Sequence, residues 1–409
     1  MQATPDTTAT GRGRVVRVEA DKSHPRRLDF AALFAPRVGQ IQASGIRKVF
    51  DLAAKLTDCI DLSLGQPHFP TPEPVQNAAI DAIRRGENRY TVNPGIPQLR
   101  LALAQRLQQE IGWDCMGTEH GLMVTGGTSG ALLLAFMALA GPGDEVIIPD
   151  PYFVMYPNTP PIVGAKGVLC DTYPDLRMTA DRIEPLLTPR TKFVLLNSPG
   201  NPSGVTLSEA DLQDIVDLCA ARGVAIVSDE IYDAFTYSDG RAHGRFPTPA
   251  RFSRDVIVVR GFGKTYSITG WRMGYIAAPR PVIEAMIKLQ QYSFVHAPTP
   301  LQYGVLAALS VDMSGAIADY ARKRDLVYER LRRLTNLVRP TGAFYAFAEV
   351  PAHLGLTATQ FVERAVEQEK LLLVPGGVFS TRDTHFRLSF ATDDATLARG
   401  LAALDRLLR

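Results

Sequence analysis

"VAIVSDEIYDAF" (residues 224–235) opens with four consecutive apolar residues, Val224 to Val227, and closes on acids and aromatics. The apolar run does not alternate with polar residues. A strand buried on both faces has this character, and such strands belong to parallel sheets covered by helices. Directly behind the run stands Asp229. A carboxylate at the end of a buried strand must be paired or carry a raised pKa. One stretch therefore points both to a fold and to a site.

The same pattern recurs outward from it. "GLMVTGG" (121–127) runs into the helical "TSGALLLAFMALAGPGD" (128–144), and "EVIIPDP" (145–151) follows. "KFVLLNSPGNPSG" (192–204) leads into "TLSEADLQDIVDLCAARG" (206–223), and "DVIVVRGFGK" (255–264) and "RMGYIAAP" (272–279) come later. In the helix after 206, Ser208 is an N-cap with Asp211 as its capping-box partner, and Gly223 stands just past the end. Strands alternating with helices predict an α/β fold, with a mostly parallel sheet sandwiched by helices.

Near residue 311 the character changes. "MSGAIADYARKRDLVYERLRRLTNLV" (313–338) reads as a long charged amphipathic helix. "GAFYAFAEV" (342–350), a helix near 357–369, "LLLVPGG" (371–377), "FRLSFA" (386–391) and a terminal helix from about 392 follow. The expected organisation is a flexible arm at 1–28, a large domain at 61–311 and a smaller α+β domain at 312–409. Residues 29–60 are expected to form the N-terminal part of the small domain. A chain of 409 residues exceeds one ordinary core, so two domains fit its length.

Composition excludes several function classes. The formal net charge is +2, with no basic run interleaved with aromatics, so nucleic acid is not an expected partner. Cys59, Cys115, Cys170 and Cys219 lie far apart, and no HxxxH spacing occurs, so neither a metal site nor a disulfide framework is expected. No apolar run approaches the roughly 18 residues of a membrane span, and the first residues lack the apolar core of a secretory signal. A cytoplasmic location with reduced thiols is the expectation.

Ligands in open parallel sheets bind beyond the carboxyl ends of the strands. Four strands here end on polar groups: Gly127-Thr128-Ser129, Asn201, Asp229 with Tyr232, and Lys264. Small residues before a helix leave backbone N–H groups free to hold an anion, with the hydroxyls of Thr128 and Ser129 as extra donors; the same turn could be a plain helix cap. Arg272 could add a fork of donors to that anion. Asp229 could be a metal ligand, a general base, or the counter-ion of a buried cation such as a protonated pyridine nitrogen. Lys264 becomes nucleophilic when burial or a neighbouring cation lowers its pKa, and such a lysine forms a Schiff base with an aldehyde. Anion cradle, pyridinium partner and Schiff-base lysine together describe a pyridoxal phosphate site.

The motifs "SLGQPHFPTP", "YTVNPGIPQLR", "VTGGTSGAL", "PDPYFVMY", "NSPGNPSG", "SDEIYD", "GFGKTYSITGWRMGY", "PTGAFY", "VPGGVF" and "FRLSFA" occur in this order. Over about residues 40–405 the chain resembles the class I/II, aspartate aminotransferase-like group of fold type I pyridoxal phosphate enzymes. The resemblance implies that Lys264 holds the cofactor and carries the proton, and that Asp229 keeps the ring nitrogen protonated. It implies that Asn201 and Tyr232 bond the ring's phenolic oxygen and that Phe153 stacks on the ring. Gly127, Thr128, Ser129 and Arg272 would hold the phosphate. Tyr90 would reach the phosphate of the neighbouring subunit in a homodimer. Arg387 would bind the substrate α-carboxylate, with Asn201 helping and the backbone at Gly65 close by. One departure stands out: relatives often carry a serine three residues before the lysine, and this chain has Gly261.

The implied reaction is transfer of an amino group between an L-amino acid and a 2-oxo acid by a ping-pong mechanism. The nearest rivals are a β-elimination lyase or a decarboxylase on the same cofactor. A non-catalytic cofactor-binding regulator is more remote, because no helix-turn-helix pattern precedes the match. Motifs at the ring do not separate the first two outcomes, and they leave the side-chain preference of the substrate open.

Overall fold

The structure, a computed structural model, describes residues 28–43, 45 and 58–409. The arm expected at 1–28 lies outside the described residues except for Leu28, as does most of 44–57. Helices of ten residues or more are numbered below in chain order.

Seven strands form the main sheet, in the order β2-β8-β7-β6-β5-β3-β4. They are β2 (His120–Gly126), β3 (Glu145–Asp150), β4 (Lys166–Asp171), β5 (Thr191–Asn197), β6 (Ala225–Asp229), β7 (Val256–Gly261) and β8 (Met273–Pro279). Strands β3 to β7 pair in parallel, while β8 runs antiparallel to both β2 and β7. The "RMGYIAAP" stretch is thus the exception that makes the sheet mixed, although its burial matches that of its neighbours.

Alternate residues of each strand feed two separate cores, which is why the runs are apolar throughout. Val194 and Leu196 of β5 pack on one face with Leu99, Leu103 and Leu107 of α2 (Pro97–Ile111) and Leu212, Ile215 and Val216 of α4 (Glu209–Arg222). Phe193 and Leu195 pack on the other, with Leu132, Leu134 and Phe136 of α3 (Gly127–Leu139) and Ile283 and Met286 of α5 (Arg280–Gln291). Each such side chain, fully buried, contributes about 1.5–3 kcal/mol. The α4 cap forms as its sequence predicts. Ser208 Oγ accepts from the Asp211 N–H at 3.1 Å, Asp211 Oδ2 accepts from the Ser208 N–H at 3.1 Å, and Gly223 ends the helix at φ +63°.

A third core gathers behind α7 (Ser314–Leu331). It packs Tyr320, Val327 and Phe344 against Phe361 of α8 (Ala358–Glu369), Phe386, and Leu397 and Leu404 of α9 (Asp394–Leu407). Its antiparallel sheet runs β11 (Val374–Pro375), β12 (His385–Ser389), β9 (Tyr345–Glu349). A short parallel pair, β1 (Ile60–Asp61) with β10 (Leu371–Leu372), brings the chain back to this region before it enters the main sheet.

The arrangement sets up one shared edge. Asn197 sits opposite Asp229 at the carboxyl ends of β5 and β6, and Gly261 opposite Gly274 where β7 meets β8. The start of α3, the loop carrying Lys264, and Arg272 before β8 all lie at that edge.

Candidate active site

A cavity of about 270 Å³ opens at this edge. Its walls include Gly65, Gly127, Thr128, Ser129 and Phe153, and opposite them Asn201, Asp229, Tyr232, Lys264, Arg272 and Arg387. Of the residues singled out from sequence, only Tyr90 stands apart. It is 87% exposed, with its ring edge-on to His296.

The turn into α3 presents backbone to the cavity. Gly126 precedes α3 and no side chain caps the helix. The first N–H groups of α3 therefore lack intrahelical and side-chain partners, and Gly127, Thr128 and Ser129 line the cavity. Gly127 adopts φ +72°, and a Cβ there would lie 2.8 Å from Arg272 Nη2. The guanidinium occupies that space instead. Arg272 Nη2 donates to Ser129 Oγ at 3.3 Å and Nη1 to the Thr269 carbonyl at 3.1 Å.

Lys264 Nζ projects into the cavity and donates to the Gly65 carbonyl. Enclosure lowers its pKa to about 8, helped by the positive charges of Arg387 and Arg272. The glycine three residues earlier is closely packed. A Cβ on Gly261 would lie 2.6 Å from Ile231 Cδ1 and 2.9 Å from Thr128 Cγ2. Ile231 and Thr128 fill the place that a serine side chain would take.

Asp229 is buried at the cavity floor. Its Oδ2 accepts from the Tyr156 hydroxyl at 2.8 Å and its Oδ1 from the Ile231 N–H at 3.2 Å. Burial raises its pKa to about 6 against the lowering effect of these two donors, and Glu230 raises it further. Among the described residues no Lys, Arg or His lies within ion-pair distance of it. Phe153 meets Tyr156 edge to face, with centroids 5.7 Å apart. The Tyr232 and Tyr345 hydroxyls are 3.0 Å apart, and burial holds the Tyr232 phenol well above its usual pKa.

Arg387 rises from β12 between the rings of Tyr345 and Phe379, at 4.5 and 4.7 Å. It donates to Asn201 Oδ1 at 3.0 Å and to the Ser63 carbonyl at 2.8 Å, while its buried Nε has no partner among the described residues. A buried guanidinium with neutral acceptors alone is suited to an incoming carboxylate. Gly65 packs close beside it, since a Cβ there would lie 3.0 Å from Tyr345 Oη and 3.9 Å from Arg387 Nη2.

Sequence reasoning missed Tyr156, Asn197 and Tyr345. Asn197 Oδ1 accepts from the Asn201 N–H at 2.9 Å and so positions that residue. Tyr156 lies three residues after Phe153, a one-turn spacing that places both on one wall.

Residues 57–404 match the model of the family described as aminotransferase class I and II. The aspartate aminotransferase of Pyrococcus abyssi is 34% identical over 91% of this chain and 97% of its own length. The aromatic-amino-acid aminotransferase 2 of Thermococcus litoralis is 33% identical over 91% and 97%. The solved structure of Thermus thermophilus aspartate aminotransferase with maleate superposes with a TM-score of 0.85 at 33% identity, covering 91% of this chain and 99% of that one.

Proposed function

The chain belongs to the class I and II aminotransferases, and on that premise we propose which of its residues perform the transamination. The reaction moves an amino group between an amino acid and a 2-oxo acid, and the family's cofactor is pyridoxal phosphate. When bound, that cofactor supplies an aldehyde for covalent attachment and a ring that takes up electrons. The residues at the cavity fit it: a lysine of lowered pKa, a buried carboxylate without a cation, and a helix N-terminus backed by Arg272.

Asp229 is the observation that carries the assignment. A buried carboxylate held by Tyr156 and the Ile231 N–H is a ready counter-ion for a protonated ring nitrogen. Lys264 Nζ removes the proton from the substrate α-carbon and later redelivers one. Its lowered pKa keeps a usable fraction of the amine neutral near pH 7. Thr128, Ser129, Arg272 and the amides after Gly126 would hold the phosphate, and Phe153 would pack against the ring. Tyr232, whose hydroxyl meets that of Tyr345, would donate to the ring's phenolic oxygen, with Asn201 as a second partner. Arg387 binds the α-carboxylate and Asn201 fixes its fork. Together these contacts orient the reacting bond and exclude water.

The family resemblance places Tyr90 in the active site of a second copy, with a homodimer as the working unit, and its exposure outside its own cavity supports that reading. Lys264, Arg272 and Arg387 are the basic residues of the cavity among the described residues, and each already has a role, so nothing is left to pair a second carboxylate and neutral or aromatic amino acids are favoured, in line with the aromatic relative. The test is a panel of amino acids assayed with 2-oxoglutarate. Amino transfer fastest with aromatic or neutral donors is expected. Ammonia release without any 2-oxo acid overturns the transaminase reading, and a preference for aspartate overturns the side-chain assignment alone. Hybrid dimers of Tyr90→Phe with Lys264→Ala chains test the shared site. Half the active sites in the hybrid should regain wild-type cofactor affinity, and none will if Tyr90 acts within its own subunit.

A further inference from the structure

The segment after β6 serves two cavities. Asp229, Ile231 and Tyr232 face the active site, whereas Asp233 and Ala234 line a second cavity of about 350 Å³. The floor of this second cavity is a closed charge network. Arg260, 2% exposed, donates to Glu230 at 2.9 Å and to Glu110 at 2.5 Å, with Asp233 at 3.7 Å. Arg106 donates to Glu110 at 2.7 Å. Two guanidiniums thus meet three carboxylates, and Glu230 is further held by Thr248 and Ser228 at 2.6 and 2.9 Å.

The rim is different. Arg241, Arg245 and Arg251 line it, and among the described residues none of the three has a carboxylate within 4.0 Å. Arg241 uses its Nε on the Thr236 carbonyl at 2.7 Å, which leaves its terminal nitrogens for another acceptor. Arg251 Nε is shielded from solvent without a hydrogen-bond partner, a costly state for a charged donor. The lining therefore carries five guanidiniums against two carboxylates, with Glu230 behind Arg260 as a third, and the three unpaired arginines are the surplus positive charge. Planar guanidinium forks match the oxygens of phosphate, and a cavity of this size holds more than a bare oxyanion.

We propose that this cavity binds a phosphate group, free or on a small monoester, through Arg241, Arg245 and Arg251. The site is separate from the phosphate cradle at Thr128 and Arg272, which lines the other cavity. Calorimetric titration of the cofactor-loaded protein, in which that cradle is filled, tests it with inorganic phosphate and with glycerol 3-phosphate as probes. One saturable event is expected, with Kd raised at least tenfold by Arg251→Gln and by Arg241→Gln while transaminase activity stays unchanged. Tighter binding of glycerol 3-phosphate identifies a monoester as the ligand, and tighter binding of inorganic phosphate identifies the free ion. If Arg251→Gln does not fold, Arg241→Gln alone decides. No saturable event with either probe, or an unchanged Kd in the folded variants, overturns the proposal.

Discussion

The Tyr156 hydroxyl lies 2.8 Å from Asp229 Oδ2 and donates to it at the floor of the active site. That bond keeps the carboxylate ionisable in a place where burial alone would drive it neutral. Its pKa stands at about 6, against 3.8 for the free side chain. The proposed role of Asp229 calls for the charged form, because a neutral acid cannot balance a protonated ring nitrogen.

Stability of the cofactor-free protein should report this group. Between the unfolded and folded pKa values the native state holds a proton that the unfolded chain has lost. Stability is therefore greatest below about pH 4 for this group and falls as pH rises through about 6. The difference of about two in pKa corresponds to about 3 kcal/mol. Urea unfolding of cofactor-free protein between pH 4 and 7 should show this slope relative to Asp229→Asn, which lacks it. Tyr156→Phe removes a donor to the carboxylate and should shift the window upward. Equal slopes in wild type and Asp229→Asn would refute the assignment.

Lys264 should titrate far below an ordinary lysine in the cofactor-free protein. Burial is the main cause, with Arg387 and Arg272 next, and the pKa is lowered to about 8. At pH 7 roughly a tenth of the amine is then neutral, against well under a thousandth for a free lysine. The rate of labelling by an amine-directed reagent should rise with a midpoint near pH 8. Arg272→Gln should move that midpoint upward, because it removes a repelling cation. A midpoint near 10.5 in wild type would contradict the geometry.

Restoring the serine that relatives often carry should harm this chain. In Gly261→Ser the new Cβ meets Ile231 Cδ1 and Thr128 Cγ2 at distances that neither can keep. Overpacking of this kind typically costs about 1–3 kcal/mol. Chemical denaturation should show that loss, with cofactor affinity no better than wild type. Ile231→Val added to the same chain should recover part of it. If Gly261→Ser alone is as stable as wild type and binds cofactor more tightly, the steric account fails.

These cases mark what can be read from sequence. Asp229, Asn201 and Lys264 were accessible because each follows a strand whose unbroken apolar run locates the sheet edge. Tyr156 was not, since the short turn that sets its phase against Phe153 has no hydrophobic period of its own. The Tyr232–Tyr345 contact joins residues 113 apart in the chain within one core, a pairing that local pattern cannot reveal. The reversed direction of β8 was equally hidden, because burial on both faces looks alike in parallel and antiparallel strands. Gly261 read as a departure from the family. Only the positions of Ile231 and Thr128 turn it into a consequence of packing.

Arg387 offers the most direct test of substrate binding. One of its terminal nitrogens is committed to Asn201 and the other to the Ser63 carbonyl, both neutral acceptors, and Nε has none. The fork is thus held rigid while its charge is left for a carboxylate. Arg387→Lys keeps a positive charge but can neither span both anchors nor present two parallel donors. Losing one charge-assisted hydrogen bond costs about 1.5–3 kcal/mol, so kcat/KM should fall by about 10- to 100-fold. The loss should appear chiefly as a raised KM for the amino acid, with the visible absorption of the bound cofactor unchanged. An equal fall in kcat at constant KM would move Arg387 from substrate binding to the chemical step.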